Sequence, residues 1–274
     1  MAAGAAPCDS AGRSPMVPVS TASKHLLSEV SRLPLHTVVE LESPDGRAVF
    51  ILGESHLKTR EAAELCRQAV GVFSLRGVER LQRNEVFAGV LVGGVLQKAR
   101  EAVQRLSGGH LAGSTIEDAL EISEGETVEL ERTEHIPPSL NVGAGYLAVY
   151  TTFVLPALLT MPLWGTIPWL RSLRAAVRLF GLHLYALPLA YVLRDRPWAW
   201  TLQPLLTVLT VRDELLADGI RRMLATHLEG PAIAIMGRAH VGGVVQRLVQ
   251  HGFRPIGGRA AGEGRPFGAV DSCG

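Results

Sequence analysis

The chain has 274 residues, 27 Lys and Arg against 26 Asp and Glu, a formal net charge of +1, and three scattered cysteines. That length holds one large domain or a domain carrying an insertion, with enough chain to bury a substantial core. Balanced charge without a basic run excludes a nucleic-acid footprint. An odd count at Cys8, Cys66 and Cys273 excludes a disulfide framework and a zinc ribbon.

Residues 1–23 are rich in small residues and proline, with no apolar block long enough for a signal peptide, and are expected to be a disordered tail. From Thr37 the pattern becomes strand, turn, strand: TVVELE, then Ser43-Pro44-Asp45-Gly46, then RAVFIL. Proline presets φ and glycine accepts positive φ, so this reads as a hairpin. It leads into Gly53-Glu54-Ser55-His56. Thr59 is placed to cap a helix over REAAELCRQAV, with Glu61 and Glu64 in its first turns, and VFSLRGVE follows as a strand. Residues 85–106 read as helical, Ser107-Gly108-Gly109 breaks the chain, and Ser114 or Thr115 starts a short helix. Eight carboxylates over 117–134 read as solvated surface.

Residues 136–170 contain no Asp, Glu, Lys or Arg, and the apolar run inside them exceeds the roughly 20 residues that span a bilayer. Arg171, Arg174 and Arg178 end it, further apolar blocks continue to residue 210, and Trp164, Trp169, Trp198 and Trp200 flank them. The expectation is a membrane-embedded helical hairpin over 142–211 with two crossings, and hence a multi-pass membrane protein contacting lipid. A buried helical lobe of a non-membrane enzyme is the alternative, given prolines at 156, 162, 168 and 188. Beyond it, VRDELLADGIRRMLATHL reads as an amphipathic helix, AIAIM as a central strand, Gly237-Arg238-Ala239-His240 as a turn, VVQRLVQHG as a helix stopped by Gly252, and FRPIGG as an edge strand. The expected fold is α/β, a mixed sheet built from both chain ends around the apolar insertion. Its divisions are a tail over 1–23, a first half over 24–135, the insertion over 136–211, a second half over 212–258 and a tail over 259–274.

GESH and GRAH share one formula. Each follows a strand and opens into a helix, which puts its side chains at the carboxyl edge of a sheet, where open α/β sheets hold ligands. A helix start disfavours an imidazolium, and the neutral imidazole is the metal-binding form. If the two strands are neighbours, His56 and His240 face each other, and two histidines with a carboxylate make an open catalytic metal site. His56 is otherwise a turn histidine bonded to nearby backbone. Glu54 is a ligand, a general base toward activated water, or a surface carboxylate.

The paired G-x-x-H motifs, with Val78-Glu79-Arg80 after the first and Val211-Arg212-Asp213 before the second, resemble the TraB/PrgY/Tiki family. The glycine pair Gly242-Gly243 after His240 matches as well, and the matched pieces cover roughly 37–83 and 205–256. The resemblance implies a divalent ion held by His56, Glu79 and His240, and in one branch metal-dependent cleavage of a peptide or protein substrate. Other branches are membrane proteins, so the opposing class is a non-catalytic membrane protein that binds or sequesters a peptide. Glu79 otherwise pairs with Arg80 or Arg76. Arg212 is a catalytic residue holding a substrate carboxylate or oxyanion, or a structural partner of Asp213. Manganese, cobalt, iron and zinc all suit two histidines and carboxylates, since no thiolate selects among them.

Two rival readings use the same letters. Ser55 at a strand-to-helix turn with His240 as base would make an esterase, although Leu57 stands where the nucleophile elbow has its last glycine. GRAHVGG would cradle a phosphate, except that Ala239 replaces the middle glycine.

Overall fold

A computed structural model describes residues 20–55, 58–80, 104–108, 110–112, 114–131, 137–150, 203–227 and 230–256, with scattered positions between them. The chain is mixed α/β. Strands β1 (Thr37–Glu42), β2 (Ala48–Glu54), β4 (Leu75–Val78), β6 (Glu126–Glu129), β7 (Ala232–Gly237) and β8 (Arg254–Pro255) form one sheet in the order β6-β4-β7-β2-β1-β8. β6, β4, β7 and β2 run parallel, and β1 and β8 are antiparallel to their neighbours. Short β3 (Lys58–Thr59) and β5 (Leu111–Ala112) pair separately.

Both ends of the chain therefore supply the centre of the sheet. The strands that end in the two motifs are adjacent, with Leu52 opposite Ile235, Gly53 opposite Met236 and Glu54 opposite Gly237. Neighbouring parallel strands are buried on both faces, so they read as continuous apolar runs, and AVFIL and AIAIM do.

Alternation along those strands sorts the core into two layers. Phe50, Leu52, Ile233 and Ile235 face α1 (Thr21–Ser31), α2 (Arg60–Gly71) and α3 (Thr115–Glu121), packing on Leu27, Val30, Cys66 and Val70. Val49, Ile51, Ala234 and Met236 face α5 (Leu205–Thr226) and α6 (Arg238–Gln250). α5 buries Leu216, Ala217, Ile220, Met223 and Leu224, a spacing that lays one apolar stripe along a helix. Local signals hold where the sequence places them. The Thr59 side chain accepts from Ala62 N, the Ser114 side chain from Ile116 N, and Gly46 in the hairpin turn has φ 88°. α1 begins at Thr21 with Ser20 accepting from Ser23 N, so the last residues of the stretch expected as a tail are helical; residues 1–19 lie outside the described residues.

The membrane expectation is overturned. Among the described residues no helix is long and apolar enough to cross a membrane. The expected hairpin over 142–211 and the multi-pass placement that rested on it are corrected accordingly. The physical reason lies at both ends of the block. α4 (Pro138–Val149) is 12 residues long and packs against the start of α5, where a Cβ at Gly143 would collide with the Thr207 hydroxyl and the Pro204 carbonyl. Residues 205–211 are the first turns of α5, a helix that goes on through Arg212, Asp213 and Glu214 to pack on the sheet. His183, in the middle of the block, is bonded through Nδ1 to the Tyr146 hydroxyl of α4, and its carbonyl accepts from Gln203 Nε2 at 2.9 Å. The four tryptophans, Arg171 and Arg174 lie outside the described residues.

Candidate functional site

Glu79 continues β4 by one residue, its N–H donating to the Ile235 carbonyl at 2.9 Å, and its side chain turns to the α5/α6 face. Oε2 accepts from the backbone N–H of Gly237, the cap of α6, at 2.5 Å. A carboxylate at that helix start is favoured by the unpaired N–H groups and the helix dipole. Oε1 accepts from Arg212 Nη2 at 2.5 Å. Neither Arg76 nor Arg80 takes Glu79. Arg80 pairs with Glu129 at 2.9 Å, and buried Arg76 donates to the carbonyls of Phe73, Ile122 and Glu124.

Arg212 comes from the first half of α5, where it spans two carboxylates. Its Nε donates to Glu131 Oε1 at 2.6 Å and its Nη2 to Glu131 Oε2 at 2.8 Å, a two-point grip, while Nη2 also reaches Glu79. Burial disfavours the guanidinium charge, but the bonds and charges of Glu131 and Glu79 outweigh it and push the pKa of Arg212 up. Burial also raises the Glu131 carboxyl above its ordinary range, and Arg212 offsets only part of that effect.

His240 lies in the first turn of α6, 5% exposed. Its Nδ1 is 2.7 Å from Asp213 Oδ1, so Asp213 pairs with this histidine rather than with Arg212. A carboxylate accepts, so Nδ1 carries a proton, and Nε2 lies 3.7 Å from Glu79 Oε1. Gly243 makes the approach feasible, because the Asp213 carboxyl occupies the space a Cβ there would need. Arg247 Nη1 lies 3.8 Å from Asp213 Oδ2.

Glu54 lies on the opposite face of the sheet, among α1, α2 and α3. Oε1 accepts from the Ser114 hydroxyl, and Oε2 accepts from Lys58 Nζ and, at 3.1 Å, from Thr115 N. Lys58 Nζ donates to the Thr115 hydroxyl as well, and both charged side chains are fully enclosed. Burial pushes the Glu54 carboxyl up, yet Lys58 and the hydroxyl and amide donors more than offset it and leave it below the ordinary 4.5. His36, one residue before the pairing of Thr37 with Gly53, is buried with Nδ1 on the Pro34 carbonyl at 2.8 Å; burial lowers its pKa, and among the described residues Nε2 has no partner.

The structure thus brings Glu79, Arg212 and His240 together and puts Glu54 on the other face; His56 lies outside the described residues. Sequence reading missed Glu131, Asp213 as the partner of His240, and the Lys58-Ser114-Thr115 set around Glu54. One signal was available: Asp213 falls on the apolar stripe of α5, three and four residues before Leu216 and Ala217, where a carboxylate needs a buried partner. Among the described residues no group of three or more His, Cys, Asp and Glu is placed to hold a metal ion. Glu79 and His240 are two members of the expected set. Compared with protein-family models, with curated proteins and with solved structures, the chain matches none.

Proposed function

We propose that this chain is a metal-dependent hydrolase acting on peptide bonds, of the TraB/PrgY/Tiki type, with His56, Glu79 and His240 as ligands of a divalent ion. The observation that carries the reading is the setting of His240. Metal-binding histidines characteristically give their other ring N–H to a carboxylate, which fixes the tautomer and raises ligand basicity. Asp213 takes Nδ1 in that manner and leaves Nε2 turned toward the Glu79 carboxylate.

The donor set fits a cation as well. Two buried carboxylates, Glu79 and Glu131, share the guanidinium of Arg212, and a third, Asp213, lies between His240 Nδ1 and Arg247; carboxylate oxygens beside an imidazole are donors that a divalent cation takes. When bound, the ion would polarise a substrate carbonyl and lower the pKa of water. The chain's own residues supply the rest. Asp213 and Gly237 N–H orient the two ligands, and Arg212 holds Glu79 in place with a donor fork whose Nε and Nη2 are committed to carboxylates. Glu54, with both oxygens taken by Lys58, Ser114 and Thr115, fits a holding role under the turn better than that of a base.

The same Asp213–His240 pair favours a second reading, in which Ser55 is the nucleophile and His240 its base, because a carboxylate on Nδ1 is also how a serine hydrolase orients its histidine. One experiment separates the two. The protein is loaded in turn with manganese, cobalt, iron and zinc, incubated with a peptide mixture, and new N-termini are read by mass spectrometry. The metal reading expects cleavage that a chelator stops, that Glu79→Gln and His240→Ala abolish and that Ser55→Ala retains. Cleavage that survives the chelator and dies with Ser55→Ala establishes the serine reading. No cleavage with any of the four ions removes the metal reading.

A further inference from the structure

We infer that the groove between α5 and α6 binds a small zwitterion, a free amino acid or a short peptide with both ends uncapped, its ammonium on Glu214 and its carboxylate on Arg247. This site is separate from the metal reading and needs no ion at the sheet edge. The groove has a volume of about 430 Å³, within the range of small-molecule sites. One wall is a face of α5, where Glu214, Asp218 and Arg221 recur at helical spacing. The other is the end of α6, with Arg247, Gln250 and the cap residue His251.

The charges on these walls sort into one of each sign. Asp218 and Arg221 take each other at 3.0 Å and cancel. Glu214 is exposed, and among the described residues its carboxylate has no ion pair or hydrogen bond. Arg247 is anchored by neutral acceptors, Nη2 donating to the Thr210 carbonyl at 2.9 Å and Nη1 to the Gly243 carbonyl at 3.2 Å, and its guanidinium has donors to spare. Asp213 Oδ2 stands 3.8 Å away, outside hydrogen-bond range, and the other oxygen of Asp213 is held by His240. An anion in the groove would meet Glu214 and Asp218, and a cation would meet Arg221 and Arg247, so a ligand of either single sign faces a like charge. A molecule with an ammonium at one end and a carboxylate at the other faces none. Fragments released by a peptide hydrolase belong to that class, and Arg247 stands beside the carboxylate that orients His240.

The test is calorimetric titration of the full chain, with chelator present, using trialanine, its N-acetyl form and its C-terminal amide as probes. The wild type is expected to bind trialanine about 10-fold more tightly than either capped form, the worth of one hydrogen bond to a charged group. Glu214→Gln should remove the preference for the free amine and keep that for the free carboxylate. Arg247→Gln should do the reverse, with circular dichroism to verify folding. Should Arg247→Gln not fold, Arg247→Lys keeps the charge and is expected to keep both preferences, and the exposed Glu214 position carries the test alone. No binding of trialanine at millimolar concentration, equal affinity for free and capped peptides, or a Glu214→Gln variant that still prefers the free amine overturns the inference. None of these results touches the metal reading, because no ion is present, and a chain that proves to hold no ion leaves the groove as it stands.

Discussion

Glu54 and Glu79 both end a parallel strand of the same sheet, and both are almost wholly buried, but the chain surrounds them in opposite ways. Around Glu54 the account closes locally: one lysine four residues on, and one hydroxyl and one amide from the start of α3. Around Glu79 the contacts are shared across the fold, with Arg212 divided between two carboxylates and a third, Asp213, between His240 and Arg247. A buried acid with a matched partner is a structural fastening. A buried group of acids that converges on one histidine is where an added cation would find donors, which is why function is sought on that face.

The comparison breaks most readily at Arg212. Arg212→Leu strands Glu79 and Glu131, and the expected loss is about 3–5 kcal/mol of stability at neutral pH, measured by urea unfolding. Added Mn²⁺ should restore part of it, because an ion binds the folded state and not the unfolded chain. Lys58→Met strands Glu54 alone and is expected to cost about 3 kcal/mol, at the lower end of the same range. Mn²⁺ should give this variant no more stabilisation than it gives the wild type. Equal rescue of both variants would erase the distinction between the two faces.

A smaller effect sharpens it. Asp213→Asn keeps an acceptor on His240 Nδ1 but removes the charge, and Mn²⁺ affinity should fall about 10-fold while the fold is retained. Glu54→Gln should leave that affinity unchanged.

The smallest effects are in pH dependence, measured as Tm with chelator present. The Glu54 carboxyl is held below its ordinary 4.5, so its contribution is present above that value and is lost as pH falls through its lower folded pKa. Glu131 is shifted the other way, above 4.5, so the folded chain binds the extra proton and stability declines as pH rises from 4.5 through the raised value. Glu54→Gln should therefore flatten the acid limb of the Tm profile, and Glu131→Gln the decline above it. Interchanged effects would contradict the assignments.

Much of the sheet was legible because its signals are local. The apolar runs AVFIL and AIAIM, the Pro44-Asp45-Gly46 turn, and the Thr59 and Ser114 caps each state their structure within a few residues. The face of each carboxylate was not legible, since alternation gives relative sides only, and it takes Phe50 and Leu52 on α2 to put Glu54 there. Glu131 was hidden for a related reason. Seven other carboxylates accompany it over 117–134, and its burial depends on an arginine 81 residues away. The apolar block misled because long uncharged runs serve buried helix pairs as well as bilayers, and Gly143 against Thr207 is a contact between two such helices.

The central claim is that the α5/α6 face of the sheet edge holds a cation and the α2/α3 face does not. Elemental analysis of the full chain, loaded with Mn²⁺ and then dialysed, tests it most directly. The account predicts one ion per chain in the wild type and in Glu54→Gln, and its loss in Glu79→Gln and in His240→Ala. A wild-type chain that keeps no ion, or an ion kept by Glu79→Gln and His240→Ala alike, would contradict it.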